Sequence, residues 1–200
     1  MILGAVICFT LSACVYFLGG MTEELTDALS YRQTGNGGNI TNETFISQSF
    51  ICPYDQVKAI TLRVSTLQNP FEQGKAVLTL ADESGRELAR QETVLSELKD
   101  KGPLTFSFEL LENSKGKTYT LTASGMEIPE GHAYSLMIGQ GSVGGTLTTA
   151  EEKTSDQNSL FMTVTYEHSI KAQDMTFFFI IAGVVLLSLV PMAAGKKGVK

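Results

Sequence analysis

The stretch Gln56-Val-Lys-Ala-Ile-Thr-Leu-Arg-Val-Ser65 decides the fold class of this chain. Its apolar and polar side chains alternate with a period of two, which is typical of a β-strand that buries one face. The predicted inner face is Ile60, Leu62 and Val64, and the opposite face is Ala59, Thr61, Arg63 and Ser65. The centre of the chain is therefore predicted to be built from strands.

Similar alternation recurs on both sides of this strand, at residues 44–51, 74–80, 86–92, 104–110, 118–122, 133–138 and 160–166. Turn residues separate these stretches, as in Asp82-Glu-Ser-Gly85, where Asp opens and Gly closes the turn. A short helical loop is expected at 94–99, and the polar stretch 139–158 is interpreted as a loop or poorly ordered flap. Residues 39–167 are predicted to form an all-β domain, an antiparallel two-sheet sandwich of the jelly-roll type.

The C-terminal part of the chain has the strongest membrane signal. Residues 175–194 contain no charge, and 20 residues at about 1.5 Å each extend about 30 Å, the thickness of a bilayer core. Lys196, Lys197 and Lys200 follow, and the positive-inside rule predicts that they are cytoplasmic. We therefore predict a transmembrane helix at 175–195, a cytoplasmic tail at 196–200 and a central domain outside the cell membrane.

Residues 1–20 are also apolar and uncharged, and three interpretations are open. A permanent transmembrane helix would place both termini in the cytoplasm, in agreement with the C-terminal lysines. A cleaved secretory signal would lack its usual positive n-region. A lipoprotein signal would lipidate Cys14 of Leu11-Ser-Ala-Cys14, although the apolar run continues past it. Small residues allow a close helix–helix face, which is also ordinary membrane-helix composition; they are Gly4, Ala5, Ser12, Ala13 and Gly183.

Two polar segments connect the predicted helices to the predicted sandwich. Residues 21–38 are interpreted as a membrane-proximal segment, with an amphipathic helix at 22–33 followed by a linker, because Leu25, Ala28 and Leu29 share one helical face. Gly35-Asn-Gly-Gly-Asn39 would be a flexible break. Residues 168–174 are predicted to be a polar stalk.

Composition and spacing exclude several classes of function. The net charge is −6 and the central region has no cluster of Lys or Arg, so a nucleic-acid partner is not expected. Of three cysteines only Cys52 lies in the centre, and the two histidines are far apart, so no disulfide or metal-ligand spacing is found. No catalytic residues are predicted, because neither a nucleophile motif nor an acid–base pair is present. A calcium site with Asp55 or Asp82 remains open.

The order of the central motifs resembles a known kind of domain. Those motifs are Gln48-Ser-Phe50, Val57-Lys-Ala-Ile-Thr-Leu-Arg-Val64, Asn69-Pro-Phe-Glu-Gln-Gly74, Val77-Leu-Thr-Leu-Ala-Asp-Glu-Ser-Gly85, Phe106-Ser-Phe108 and Lys115-Gly-Lys-Thr-Tyr-Thr-Leu-Thr122. Together, over residues 44–166, they resemble the extracytoplasmic jelly-roll domains of large bacterial cell-surface glycosyltransferases and polysaccharide-assembly membrane proteins. Those domains are similar in outline to carbohydrate-binding modules. This sequence lacks their many-span catalytic portion, so the resemblance implies an accessory role.

A sugar site is the sharpest binding hypothesis that the sequence offers. Such sites present aromatic faces flanked by polar side chains. Tyr54 and Phe71, with Gln68, Asn69 and Gln73 nearby, would form a platform at one end of the sandwich. In the alternative interpretation Phe71 plugs the sandwich end and Tyr54 packs at a strand edge.

The sequence therefore predicts a membrane-anchored, non-catalytic accessory protein that assists cell-surface polysaccharide assembly or binds glycan. Its expected partners are the lipid bilayer, a polytopic membrane glycosyltransferase or transporter, and an envelope glycan. The alternatives are a structural or adhesive surface subunit and a fragment of a membrane glycosyltransferase.

Overall fold

The computed structural model describes residues 2–18, 21–67, 71–170, 176–185 and 187. The chain divides into two compact units: Glu24–Glu167, and the two chain ends Met1–Glu23 and His168–Lys200. Helix α1 spans Ile2–Leu18, helix α2 spans 176–185, and a 3₁₀ turn spans Leu95–Glu97. The strands of the described part are β1 Met21–Ala28, β2 Tyr31–Asn36, β3 Phe45–Ile51, β4 Val57–Ser65, β5 Lys75–Asp82, β6 Glu87–Val94, β7 Pro103–Leu111, β8 Thr118–Met126, β9 Ser135–Gln140, β10 Leu147–Thr148, β11 Thr154–Ser155, β12 Asn158–Leu160 and β13 Met162–Ile170.

The strands form two antiparallel sheets. One sheet has the order β1-β13-β4-β9-β12, with β2 paired to β9 and β7 paired to β4. The other has the order β11-β10-β3-β8-β5-β6. The predicted all-β, two-sheet antiparallel sandwich is therefore confirmed.

The core lies between the two sheets. Ile60, Leu62 and Val64 of β4 are at most 1% exposed, as the alternation of this stretch predicts. Fully buried side chains of the other sheet, Ile46, Leu78, Leu80 and Leu121, belong to the same cluster. Each buried aliphatic side chain contributes roughly 1.5–3 kcal/mol relative to an exposed one, so this core stabilises the domain without a disulfide.

The predicted helix at residues 22–33 is wrong, because this segment forms β1 and β2. The backbone N–H of Leu29 donates to the carbonyl of Met162 at 3.0 Å, and the hydroxyls of Thr26 and Thr165 lie 3.1 Å apart. Pairing with β13 satisfies backbone groups along the segment, and such tertiary contacts override a weak helical preference. The compact β unit consequently begins at Glu24, before the predicted boundary at Asn39.

The predicted flexible break and the predicted flap are both part of the sheets. Gly37 N–H donates to the Leu136 carbonyl at 2.9 Å, and Ile40 bridges to Tyr134. Within 139–158, strands β10 and β11 pair with each other and β10 extends the sheet beside β3. In the predicted stalk, residues 168–170 continue β13, and 171–174 lie outside the described residues. The short helical loop predicted at 94–99 is confirmed as the 3₁₀ turn Leu95–Glu97.

In the terminal unit, α1 and α2 pack against each other. Ser12 Oγ donates to the Thr176 carbonyl at 3.2 Å. A Cβ on Gly183 would lie 3.0 Å from Cε2 of Phe9, so this close approach depends on glycine. Ala5 and Ser12 are 2% and 4% exposed.

Among the described residues, no helix combines the length and the hydropathy needed to cross a bilayer. Of the predicted C-terminal span, residues 175, 186 and 188–195 lie outside the described residues, as does the tail 196–200. Residues 1, 19 and 20 of the predicted N-terminal span lie outside them too.

Candidate functional site

Tyr54 and Phe71 do not form the predicted shared platform. Tyr54 precedes β4 and Phe71 follows it, and this nine-residue strand extends about 30 Å. Phe71 is 7% exposed and belongs to the core, with its ring centroid 6.1 Å from that of His132. Gln73 is exposed, and the predicted ligand residues Gln68 and Asn69 lie outside the described residues. Phe71 thus plugs one end of the sandwich.

Tyr54 packs at a strand edge at the other end of β4. Its ring stacks on Tyr166, with centroids 4.0 Å apart and planes within 3° of parallel. Its hydroxyl donates to the carboxylate of Asp27, which raises the pKa of Tyr54 to about 12. Its carbonyl accepts a hydrogen bond from Ser114 Oγ at 3.0 Å. The stacked ring and the bonded hydroxyl leave Tyr54 in a structural role.

The carboxylates considered for calcium are engaged within the protein. Asp82 accepts hydrogen bonds from the backbone and hydroxyl of Ser84 and from the backbone and guanidinium of Arg86, at 2.6–3.1 Å. Asp55 accepts from Lys115 N–H at 3.4 Å. In the part of the chain that the structure describes, no three His, Cys, Asp or Glu side chains converge on a point. Asp82 and Asp55 therefore both have hydrogen-bond partners within the protein.

A polar cleft opens where β2, the end of β9 and the start of β12 meet. Its volume is about 620 Å³, within the roughly 300–1,000 Å³ of ligand sites. It is lined by Arg32, Gln33, Thr34, Gln140, Gly141, Ser142, Gln157 and Asn158. We call it the amide cleft, because four of these side chains end in an amide.

The strand register sets the floor of the amide cleft. Gln140 of β9 lies opposite Asn158 of β12 on one side and opposite Tyr31 of β2 on the other. Residues directly opposite in an antiparallel pair project from the same face, so the amides of Gln140 and Asn158 are neighbours. The backbone N–H of Gly141, with φ of +141°, closes the floor by donating to the Gln157 carbonyl at 3.2 Å.

Ser155 fixes the strand end that carries two of the amides. Its Oγ accepts hydrogen bonds from the backbone N–H groups of Gln157 and Asn158, at 3.2 and 3.1 Å. A serine hydroxyl that bonds the backbone two and three residues ahead defines a tight turn. The turn therefore presents both amides to the cleft from an ordered backbone.

Arg32 reaches the amide cleft from a β-bulge. Tyr31 pairs with Gln140 and Gln33 pairs with the adjacent Gly139, so Arg32 is the extra residue on β2. Its φ of +44° lies in the left-handed region, which costs a non-glycine residue on the order of 1 kcal/mol. Bulges of this kind re-aim a side chain and are common beside functional sites.

The chemistry of the lining residues fits a ligand rich in hydroxyl groups. Each amide offers donors and an acceptor, and the hydroxyls of Thr34 and Ser142 offer both. Among the described lining residues there is no carboxylate, histidine, cysteine or apolar side chain. The amide cleft can therefore bind through hydrogen bonds.

Sequence reasoning missed this site because its parts lay in segments predicted to be helix and flap. Arg32 and Gln33 fell in the predicted helix, Thr34 in the linker that follows it, and Gln140 and Gln157 in the predicted flap. The available signal was the concentration of Gln and Asn at 140 and 157–158, flanking a glycine-rich stretch.

Comparisons with known proteins do not indicate a function for this chain. No protein-family model matches the chain, and no curated protein matches it. A crystal structure of the VP2 subviral particle of infectious bursal disease virus is similar with a TM-score of 0.32 and 11% identity, over 77% of this chain and 38% of the viral chain. The structure of the Gx strain of that virus gives 0.31 and 10%, over 76% and 37%. The chain spans less than two fifths of these viral chains.

Proposed function

We propose that this chain is a membrane-anchored, non-catalytic accessory protein whose sandwich binds a glycan outside the cell and assists cell-surface polysaccharide assembly. The observation that carries this function is the amide cleft. Side-chain amides and hydroxyls converge there, and sugar hydroxyls need such paired donors and acceptors.

The surface of the terminal helices supports the membrane anchor. Val6 and Ile7 of α1 are 55% and 50% exposed, and Phe177 and Phe178 of α2 are 66% and 67% exposed. Exposed apolar side chains of this size are unfavourable in water and favourable against lipid tails or other apolar helices. The lysines that follow α2 in sequence favour a cytoplasmic C-terminus, with the sandwich on the other side.

The side chains that line the amide cleft support the accessory role in this proposal. Hydrolysis of a glycosidic bond commonly uses two carboxyl groups. The described lining residues supply none. We propose that a polytopic glycosyltransferase or transporter supplies the chemistry, and that the apolar helix pair docks beside it in the bilayer. The jelly-roll likeness to carbohydrate-binding modules is part of the same proposal.

Glycan binding by full-length protein in nanodiscs, with and without cleft variants, tests this function. We expect immobilised glycans to retain the native protein, and Gln140→Ala combined with Asn158→Ala to weaken retention roughly tenfold, the effect of losing one or two hydrogen bonds. Asn39→Ala is the matched control, because Asn39 is an exposed amide outside the cleft. Equal retention of the cleft variant and the control would contradict a glycan site here, and polymerisation of the protein would favour a structural subunit.

A further inference from the structure

We infer that the glycan bound in the amide cleft is acidic, and that Arg32 recognises a carboxylate on one of its sugars. This inference rests on the proposed glycan function and narrows its ligand to sugar chains that contain a uronic acid. Two independent features of Arg32 carry it: its lack of a partner and its position on the bulge.

Among the described residues that line the cleft, Arg32 is the one with a charged side chain. The chain as a whole has a net charge of −6. The other three arginines have partners: Arg86 and Arg90 pair with carboxylates, and Arg63 donates to the Lys101 carbonyl at 2.9 Å. Within the described residues Arg32 makes no hydrogen bond or ion pair, and its side chain is exposed. Its five N–H donors are therefore available to a ligand.

The bulge aims this guanidinium at the amides. In a regular strand the residue between Tyr31 and Gln33 would oppose a residue of β9, but the register here advances by one on β9 while it advances by two on β2. Arg32 therefore leaves the ladder with φ of +44° and joins Gln33 and Gln140 in lining one cleft. Glycine would adopt this backbone conformation without strain. Arginine adopts it at a cost in strain, and what it adds at this position is a guanidinium group.

The surrounding groups favour a carboxylate-bearing sugar over other anions. A guanidinium matches the two oxygens of a carboxylate in a planar, bidentate pair, while the amides bind the hydroxyls of the same chain. Asp156, which accepts a hydrogen bond from Gln157 Nε2 at 3.3 Å, holds a negative charge next to the cleft. This charge repels a densely charged polyanion more strongly than it repels a sugar chain with isolated carboxylates.

The test compares two oligosaccharides of equal length and linkage, one of galactose alone and one in which a single galactose is replaced by galacturonic acid, by calorimetry on full-length protein in nanodiscs. We expect the native protein to bind the acidic chain roughly tenfold more tightly than the neutral one, as for one charge-assisted pair. Added salt should reduce this preference, because it screens exposed charges. Equal affinity of the native protein for the two chains would overturn the inference.

Variants of Arg32 separate recognition from folding. Arg32→Gly keeps the left-handed backbone, so we expect an unchanged or higher melting temperature together with loss of the preference for the acidic chain. Arg32→Lys should keep part of that preference, and the distant Arg63→Gln should keep all of it. A preference that survives Arg32→Gly overturns the inference.

Binding of the neutral chain distinguishes failure of this inference from failure of the proposed glycan function. If the native protein binds the neutral chain as well as the acidic one, and Gln140→Ala weakens both, the acidic preference fails and the glycan site stands. If Gln140→Ala affects neither chain, or neither chain binds, the glycan site and the inference fail together.

Discussion

The side chain of Gln48 joins the two sheets of the sandwich through the backbone of Leu160. Gln48 Oε1 accepts a hydrogen bond from the Leu160 N–H at 3.1 Å, and Gln48 Nε2 donates to the Ser49 carbonyl at 2.7 Å. Both Gln48 and Leu160 are fully buried. Since Leu160 ends the strand that begins at Asn158, this bond fixes one wall of the amide cleft to the core.

Replacing Gln48 by Ala should destabilise the sandwich by about 2–4 kcal/mol, because it leaves the buried Leu160 N–H unpaired and opens a cavity. Thermal unfolding of the full chain in mild detergent checks this as a lower melting temperature. Ser159→Ala is the matched control on the same strand. Its Oγ is buried without a hydrogen-bond partner in the part of the chain that the structure describes, so this variant should be as stable as the native protein or more stable. Equal losses in both variants would contradict the role of the Gln48 bond.

The hydrogen bond from Tyr54 to Asp27 should make the folding stability of the protein depend on pH in the alkaline range. The carboxylate of Asp27 is the main cause that raises the pKa of Tyr54 from 10 to about 12 in the folded protein. A phenol that holds its proton more tightly when folded stabilises the protein fully below pH 10, and this contribution is lost as the pH rises through 12. Tyr54→Phe keeps the ring and removes the proton, so its deficit in melting temperature should be constant from about pH 7 to 9.5 and shrink above that. A deficit that stays unchanged to about pH 11.5 would argue against this bond.

Enlarging Gly183 should separate the two terminal helices. A Cβ there would already lie 3.0 Å from the ring of Phe9, so Gly183→Leu cannot keep this approach. A short bifunctional thiol reagent, applied to Ser12→Cys with Thr176→Cys after removal of the native helix cysteines, reports the pairing. We expect several-fold less cross-linking in Gly183→Leu. Val184→Leu is the control, because Val184 is 55% exposed, and equal cross-linking in the two variants would contradict the packing.

The turn after β5 should be stabilised by Asp82 without a metal ion. Asp82 bonds Ser84 and Arg86, and these bonds lower the pKa of its carboxyl, with the Ser84 hydroxyl as the largest cause. We expect Asp82→Ala to lower the melting temperature and a calcium chelator to leave the native melting temperature unchanged. A chelator-dependent fall that Asp82→Ala abolishes would show a calcium site instead.

The sequence predicts the parts of the fold whose burial follows a local pattern. Alternation in β4 identifies Ile60, Leu62 and Val64 as core, and Asp82 and Gly85 identify the turn before β6. It does not predict β1 and β2, because the spacing of Leu25, Ala28 and Leu29 is compatible with a helix and no local pattern favours a strand. Contacts with residues far along the chain, such as the hydrogen bond from Leu29 to Met162 and the pairing of β2 with β9, decide for strands.

The same limit applies to the candidate site. Tyr54 and Phe71 are close in sequence, but the extended strand between them places them at opposite ends. Conversely, Arg32, Gln140 and Asn158 are distant in sequence and meet only because β9 lies between β2 and β12. The bulge at Arg32 depends on this pairing register, which no local motif encodes.

The pairing of the first strand with the last has a consequence for biosynthesis. The Met162 N–H donates to Ser30 Oγ at 3.2 Å, across 132 residues of sequence. At roughly 5–20 residues per second, a ribosome needs on the order of 10 s to make that length, and long-range strand pairing is itself slow. Throughout this interval β1 and one edge of β4 lack β13, the strand with which both pair. The nascent domain therefore presents open strand edges until β13 emerges. We expect chains cut short before Met162 to aggregate or be degraded rather than accumulate as a smaller sandwich.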